Sequence, residues 1–464
     1  MKKIKIIKII MFVLVILVPV ITFNLKRDQV SEIDNRALMN IEDIFTGDDL
    51  TNGIENFLED RIGLRTNIVN VYNKSMDILF NDMVHPSYQY GKDEYVFFKM
   101  SKNTFDPEFQ EIYSDFIEEF QEYCNERGIG FLYTVEPSKA TVYEEYLPNG
   151  YNYDNKNLEY FLTELNNKDI NYLNNVETLI NAKSTTQVFD KKYDAGHWNE
   201  TGAIIGISAM LDKLNELDNR VGEFDINNFE QVKYINETLP TSYFYINEET
   251  LHYKLIEDNS ISVKDLESEV IRDKNFKYFT NYKNTLNIDK PRILIFAGSY
   301  FNGKEKFLTE NFAEVMKIHN YKNVIDYEYY INIFNPDLVL FESTEYTHSD
   351  YYFPRDMMKE KISNKSIDSY SNLLEDNFVI IDESGVEKSG NNITNISIPI
   401  ENEELLYAYA NINNRILDCK ITQNDEGNFL EFSVMTSELE NIESFDLYFI
   451  SKDEERYQKS QILL

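Results

Sequence analysis

Three short, almost uninterrupted apolar runs constrain this chain more than any other feature: Ile129 to Val135, Arg292 to Phe296 and Leu338 to Phe341. None alternates polar with apolar residues, so each reads as a strand buried on both faces. Helix-patterned stretches accompany them over Phe105 to Arg127, Asn155 to Asn166, Thr201 to Glu216 and Lys304 to Met316. Two further strands are expected at Ile170 to Leu173 and Asn323 to Ile325. Helix followed by apolar strand is the alternation of an α/β fold, here a doubly wound parallel sheet flanked by helices.

The N-terminus reads Met1-Lys2-Lys3-Ile4-Lys5-Ile6-Ile7-Lys8, then runs apolar from Ile9 to Phe23 and closes with Lys26 and Arg27. No small-residue cleavage site follows the run, so a retained single-pass anchor over residues 1–27 is expected rather than a cleaved signal. Under the positive-inside rule, everything after Lys26 then lies outside the cytoplasm. Residues 28–372 are expected to form the main domain, with an acidic, Asn-rich insertion or lid over 220–289. Gly53 to Arg65 reads as an amphipathic helix ending near Gly63, with Arg61 and Arg65 in surface or inter-helix ion pairs. From about Leu373 the texture changes to short β-rich runs such as Phe429 to Val434 and Phe445 to Ile450, which suggests a C-terminal β-sandwich over 373–464.

Charge and motifs narrow the function classes. Lys+Arg 45 against Asp+Glu 80 gives a net charge of −35, which disfavours nucleic acid or an anionic membrane surface as a partner. Two distant cysteines, Cys124 and Cys419, exclude a disulfide framework. The sequence contains no P-loop, dinucleotide fingerprint, Cys-x-x-Cys or His-Glu-x-x-His pattern, so no cofactor and no metal is expected.

Two segments carry candidate chemistry. In Tyr193-Asp194-Ala195-Gly196-His197-Trp198-Asn199, a carboxylate lies three residues before a histidine at a turn that enters an apolar helix, with Asn199 placed to cap it. A carboxylate that orients an imidazole makes a base able to deprotonate a hydroxyl. In Ala297-Gly298-Ser299-Tyr300-Phe301-Asn302, an apolar strand ends in a small-residue turn bearing serine, which places the hydroxyl at the carboxyl end of the sheet. The N–H groups of this turn, with Tyr300 and Asn302, are the oxyanion and substrate candidates. Lys139, after a strand end at Pro137-Ser138, is a candidate for substrate contact, although a surface lysine is the simpler expectation. His348 and Asp350 form a rival pair for the base or a partial metal site.

Taken in order, these segments resemble the alginate O-acetylation proteins and their relatives named for an Asp-His-His-Trp motif, which are SGNH-hydrolase-like with a flavodoxin-like sheet. The resemblance runs from about Ile33 to Glu345. It includes Asp34-Asn35-Arg36, Phe57 to Arg65, Gly91-Lys92-Asp93, Val135 to Tyr143 with Leu147-Pro148, and Asn335 to Glu342. It implies Ser299 as nucleophile, His197 as base and Asp194 as orienting acid. The chain departs from the family at Ala195-Gly196, where one residue usually intervenes, and at Gly298, where a Gly-Asp-Ser turn has aspartate.

The resemblance further implies a membrane-anchored, extracytoplasmic O-acetyltransferase. It would pass an acetyl group from a multi-spanning membrane acyltransferase, through a serine ester, to a polysaccharide acceptor. The alternatives are a carbohydrate acetylesterase and an inactive polysaccharide-binding or assembly protein whose C-terminal sandwich binds sugar.

Overall fold

The computed structural model describes the chain except residues 1, 28, 32–35, 46–48, 81, 86, 100–103, 152, 240–243, 265, 274–275, 277, 363–373, 382–386, 401–404, 425–426, 441, 452–456 and 464. Asp34 and Asn35 of the early motif, and the expected boundary near Leu373, lie outside the described residues.

The core is a seven-stranded sheet built from β1 (Gly130–Glu136), β2 (Tyr172–Asn174), β3 (Ser260–Ser262), β4 (Phe279–Asn284), β5 (Arg292–Ala297), β6 (Glu314–His319) and β7 (Leu338–Thr344). Their order across the sheet is β2-β1-β7-β5-β6-β4-β3. The first five are parallel, with register pairs such as Phe296 to Phe341 and Leu340 to Leu132. The apolar runs seen in the sequence occupy β1, β5 and β7, where Leu132, Ile295 and Leu340 are fully buried. Two apolar clusters cover the two faces of the sheet. Helix Pro107–Glu126 lies over one through Phe116 and Phe120, and helix Glu200–Leu217 over the other through Ile207 and Leu211.

Three expectations are corrected. The sheet is mixed, because β4 and β3 pair antiparallel at one edge and come from the segment expected to be an insertion or lid. The rest of that segment holds a long antiparallel hairpin, Phe229–Thr238 with Tyr245–Leu255. The helix expected over Lys304 to Met316 is a short 3-10 turn, Glu305–Phe307, followed by β6, and the strand expected at Asn323 to Ile325 lies in the 3-10 segment Tyr321–Asp326. The misreading has a physical source: β6 carries Lys317, whose ammonium is wholly buried and is satisfied by Asn302 Oδ1 at 2.7 Å and Glu305 Oε1 at 3.3 Å. That charge hides the strand in the sequence.

N-terminal to the core, α1 (Lys2–Ile21), α2 (Leu50–Arg61) and α3 (Arg65–Phe80) follow one another. Arg61 is not a surface ion-pair residue. It is buried, and its guanidinium donates to the carbonyls of Met39 at 2.9 Å and Lys26 and to Asn40 Oδ1 at 3.0 Å. C-terminal to the core, a five-stranded and a four-stranded sheet share an apolar core that includes Ile398, Ala408, Leu430 and Leu447, as a sandwich requires. The sandwich abuts the α/β core through Arg127, which pairs with Asp418 at 2.8 Å, and through Arg415, which donates to the Ile331 carbonyl at 2.8 Å.

Candidate active site

Asp194 sits in a turn that its own side chain builds. Its Oδ1 accepts the N–H groups of Gly196 at 2.9 Å and His197 at 3.0 Å, the pattern by which an aspartate folds the backbone following it. That geometry turns the His197 ring back onto the same carboxylate, with Nδ1 2.9 Å from Oδ2. The two-residue spacer is thus accommodated by the turn. Gly196 leaves room for the Phe98 ring, which a Cβ there would meet at 2.1 Å unless the ring shifted. Asn199 caps the next helix as expected, its Oδ1 accepting the Gly202 N–H at 2.8 Å.

Ser299 follows β5 directly, and its Oγ lies 2.8 Å from His197 Nε2, so one hydrogen-bonded line runs from carboxylate to imidazole to hydroxyl. Burial raises the Asp194 carboxyl, but the charge and hydrogen bonds of His197 and the Gly196 N–H outweigh it and hold the pKa at about 2. Burial lowers the His197 pKa, yet the Asp194 carboxylate more than offsets it, so the imidazole is more basic than usual.

The two turns are fastened to each other across about a hundred residues of sequence. Tyr300 donates its hydroxyl to the carbonyls of Pro137 at 2.7 Å and Gly196 at 2.5 Å, while Trp198 Nε1 donates to the Tyr300 carbonyl at 2.9 Å. The Tyr300 side chain is therefore no substrate group: it is buried and spent on orienting the turns. Asn302 is exposed, with its Oδ1 held by Lys317.

Lys139 requires a stronger correction. It is 1% exposed, neither a surface lysine nor a substrate contact. Its ammonium donates to the carbonyls of Val96 at 2.8 Å, Lys191 at 3.1 Å and Asp194 at 3.1 Å, and burial lowers its pKa to about 8. On the N–H side of the same loop stands Glu248, from the 229–255 hairpin. Its carboxylate accepts the N–H groups of Lys191 at 2.8 Å, Lys192 at 2.7 Å and Tyr193 at 2.5 Å. The loop that ends in Asp194 is thus clamped between a buried ammonium and a carboxylate. Glu200 adds a second brace, accepting Lys306 at 2.8 Å and the Tyr253 N–H at 2.6 Å and so joining the hairpin, the helix after His197 and the segment after Ser299. Sequence reading missed Glu248 because a contact 57 residues away along the chain leaves no local pattern.

The rival pair does not meet. His348 is enclosed by Tyr113 and Phe161, bonds Ser343 Oγ at 2.9 Å, and is pushed by burial to a pKa of about 3, whereas Asp350 pairs with Arg355 at 2.6 Å. Among the described residues no group of His, Cys, Asp and Glu side chains could hold a metal ion.

A mixed sheet with a parallel centre and an Asp-x-x-His turn facing a serine at the carboxyl end of its strands is the architecture of an SGNH hydrolase-like domain. More particularly, residues 89–237 match the family model described as the SGNH hydrolase-like domain of the acetyltransferase AlgX. The match contains Asp194 and His197 and stops short of Ser299. No curated protein sequence matches the chain. Similar solved structures include PatB1 of Bacillus cereus, at 18% identity and a TM-score of 0.44 over 56% of this chain and 96% of that one. The O-acetyltransferase domain of Pseudomonas putida AlgJ matches at 15% identity and 0.42, over 60% of this chain and 100% of that one. Pseudomonas aeruginosa AlgX matches at 12% identity and 0.38, over 76% of this chain and 84% of that one.

Proposed function

We propose that this chain is a membrane-anchored, extracytoplasmic O-acetyltransferase that acetylates a polysaccharide through an ester on Ser299. The observation that carries the reading is the line of hydrogen bonds from Asp194 through His197 to Ser299. His197 Nε2 takes the Ser299 proton as Oγ attacks the acetyl carbonyl, and then gives it to the departing group, leaving acetyl-Ser299. A sugar hydroxyl next loses its proton to His197, attacks the ester and restores the serine. Asp194 holds the Nδ1 proton throughout and offsets the charge of the imidazolium.

The acetyl group would come from a multi-spanning membrane acyltransferase beside the anchor. Helix α1 has the length and hydropathy of a span over Lys3–Ile21, and none of it is buried in the protein. Residues 28–372 would carry the chemistry, and the sandwich over 373–464 would contact carbohydrate.

The test is acetyl release from an activated acetyl ester by the purified chain, beside Ser299→Ala and His197→Ala. Both variants should lose turnover by orders of magnitude, since such groups act as a unit. An acetyl adduct on Ser299 by mass spectrometry identifies the nucleophile. Release without transfer to an added oligosaccharide would make the protein an esterase, and equal, negligible release by all three would leave a binding module.

A further inference from the structure

Helix α3 is amphipathic with its faces reversed. Ile68, Val71, Tyr72, Ile78 and Leu79 fall within one arc of the helix at about 100° per residue and all point away from the protein, with Val71 67% and Leu79 70% exposed. The single polar residue in that arc, Ser75, turns its hydroxyl back onto the Val71 carbonyl at 2.7 Å. Two polar residues face inward instead: Asn73 is buried and Asp77 accepts the Tyr90 hydroxyl at 2.9 Å. A helix in water does the opposite, and a contiguous apolar stripe on a soluble surface marks a contact site.

What lies against the stripe is indicated by the start of the helix. The bend between α2 and α3 is fastened to the exit of α1, where the Gly63 N–H donates to the Pro19 carbonyl at 2.9 Å and the Asn24 N–H to the Arg61 carbonyl at 2.8 Å. The approach is so close that a Cβ on Gly63 would fall 2.0 Å from Thr22 Oγ1. Leu64 adopts a left-handed φ of 62°, a costly conformation for leucine, to make the bend there. Lys74 stands exposed at the edge of the arc, where an interfacial helix places cations.

We infer that α3 lies on the outer surface of the lipid bilayer, its apolar stripe at the boundary between headgroups and acyl chains. The inference rests on the reading of α1 as a retained span, and it makes the anchor two-part: a span and a surface helix that together fix how the domain sits over the membrane.

The experiment uses the full chain in phosphatidylcholine bilayers, spin-labelled one site at a time at Val71→Cys, Val13→Cys in the span, and Tyr351→Cys on an exposed loop. The native cysteines, Cys124 and Cys419, are buried. The label at 71 is expected to meet oxygen in preference to a water-soluble nickel complex, with an accessibility ratio several-fold above that at 351. A label at 71 as open to nickel as that at 351, beside a lipid-exposed label at 13, overturns the inference and leaves the anchor standing. A label at 71 shielded from both reagents also overturns it, since protein then covers the stripe. A water-exposed label at 13 removes the anchor and the inference with it. Adding Leu79→Asp to the chain labelled at 71 should raise nickel access there while leaving the melting temperature unchanged, because the substituted side chain meets lipid rather than protein.

Discussion

The carboxylate of Glu342 accepts the Gly298 N–H at 2.7 Å, one residue before Ser299. Gly298 has an ordinary extended backbone, and a Cβ there would meet nothing closer than Asn320 Oδ1 at 3.6 Å and Glu342 Oε2 at 3.7 Å. Space does not demand glycine. Charge disfavours aspartate, because an aspartate at this position would face a buried glutamate whose own pKa burial already pushes up to about 7.

Gly298→Asp should therefore destabilise the protein, and more at pH 8 than at pH 5. Glu342 has a folded pKa above its unfolded value of about 4.5, so its contribution is full below that value and lost as pH rises through about 7. A second carboxylate raises the folded value further and deepens the loss at pH 8. Glu342→Gln in the same chain should recover most of the melting temperature, since the amide oxygen can still accept the Gly298 N–H.

The raised basicity of His197 predicts the pH profile. Acetyl release needs the neutral imidazole, so kcat/KM should rise with pH through an inflection above the usual histidine value. In Asp194→Asn the inflection should move to lower pH, because the charge that favours the imidazolium is gone, while kcat falls on the order of 10⁴-fold. An unmoved inflection would mean that another group governs the profile.

Glu248 touches neither Ser299 nor His197, yet it holds the loop between β-hairpin and base. Glu248→Ala should lower kcat by about 10²-fold through misplacement of Asp194, with KM little changed. Glu248→Gln, which keeps an acceptor oxygen, should recover part of the loss. The pH profiles of the three proteins separate this from general unfolding: a displaced Asp194 should move the His197 inflection to lower pH, whereas unfolding would reduce the active fraction and leave the profile unchanged.

Much of this site was legible because its parts are local. The apolar runs of β1, β5 and β7 are buried on both faces, and Asp194, His197 and Asn199 make their bonds within one turn. The supports are not local. Lys139 reads as a surface residue until the carbonyls of Lys191 and Asp194 close over it, and the start of β6 reads as the end of a helix, its buried lysine being satisfied by residues 12 and 15 positions earlier. Reversed amphipathicity in α3 is equally invisible in the sequence, since periodicity gives the apolar face but not the direction it points.

The join between the α/β core and the sandwich should depend on Asp418. Arg127 is buried between Asp418 and the Tyr407 hydroxyl, so Asp418→Ala leaves it only the longer pairing with Glu126 at 3.7 Å and should cost about 3 kcal/mol in denaturant unfolding. Replacing Arg127 and Asp418 together with apolar residues should cost much less.

The middle of the core sheet is the last part of it to be synthesised. β7 lies between β1 and β5, so no chain that ends before residue 344 can have a continuous sheet, and the nascent protein carries an open gap between its earlier strands. Closing that gap brings together residues more than two hundred positions apart, a non-local pairing that is slow compared with the closing of local contacts. The polypeptide therefore cannot complete its core sheet until β7 has been made, and the edges of β1 and β5 that β7 will cover stay unpaired until then.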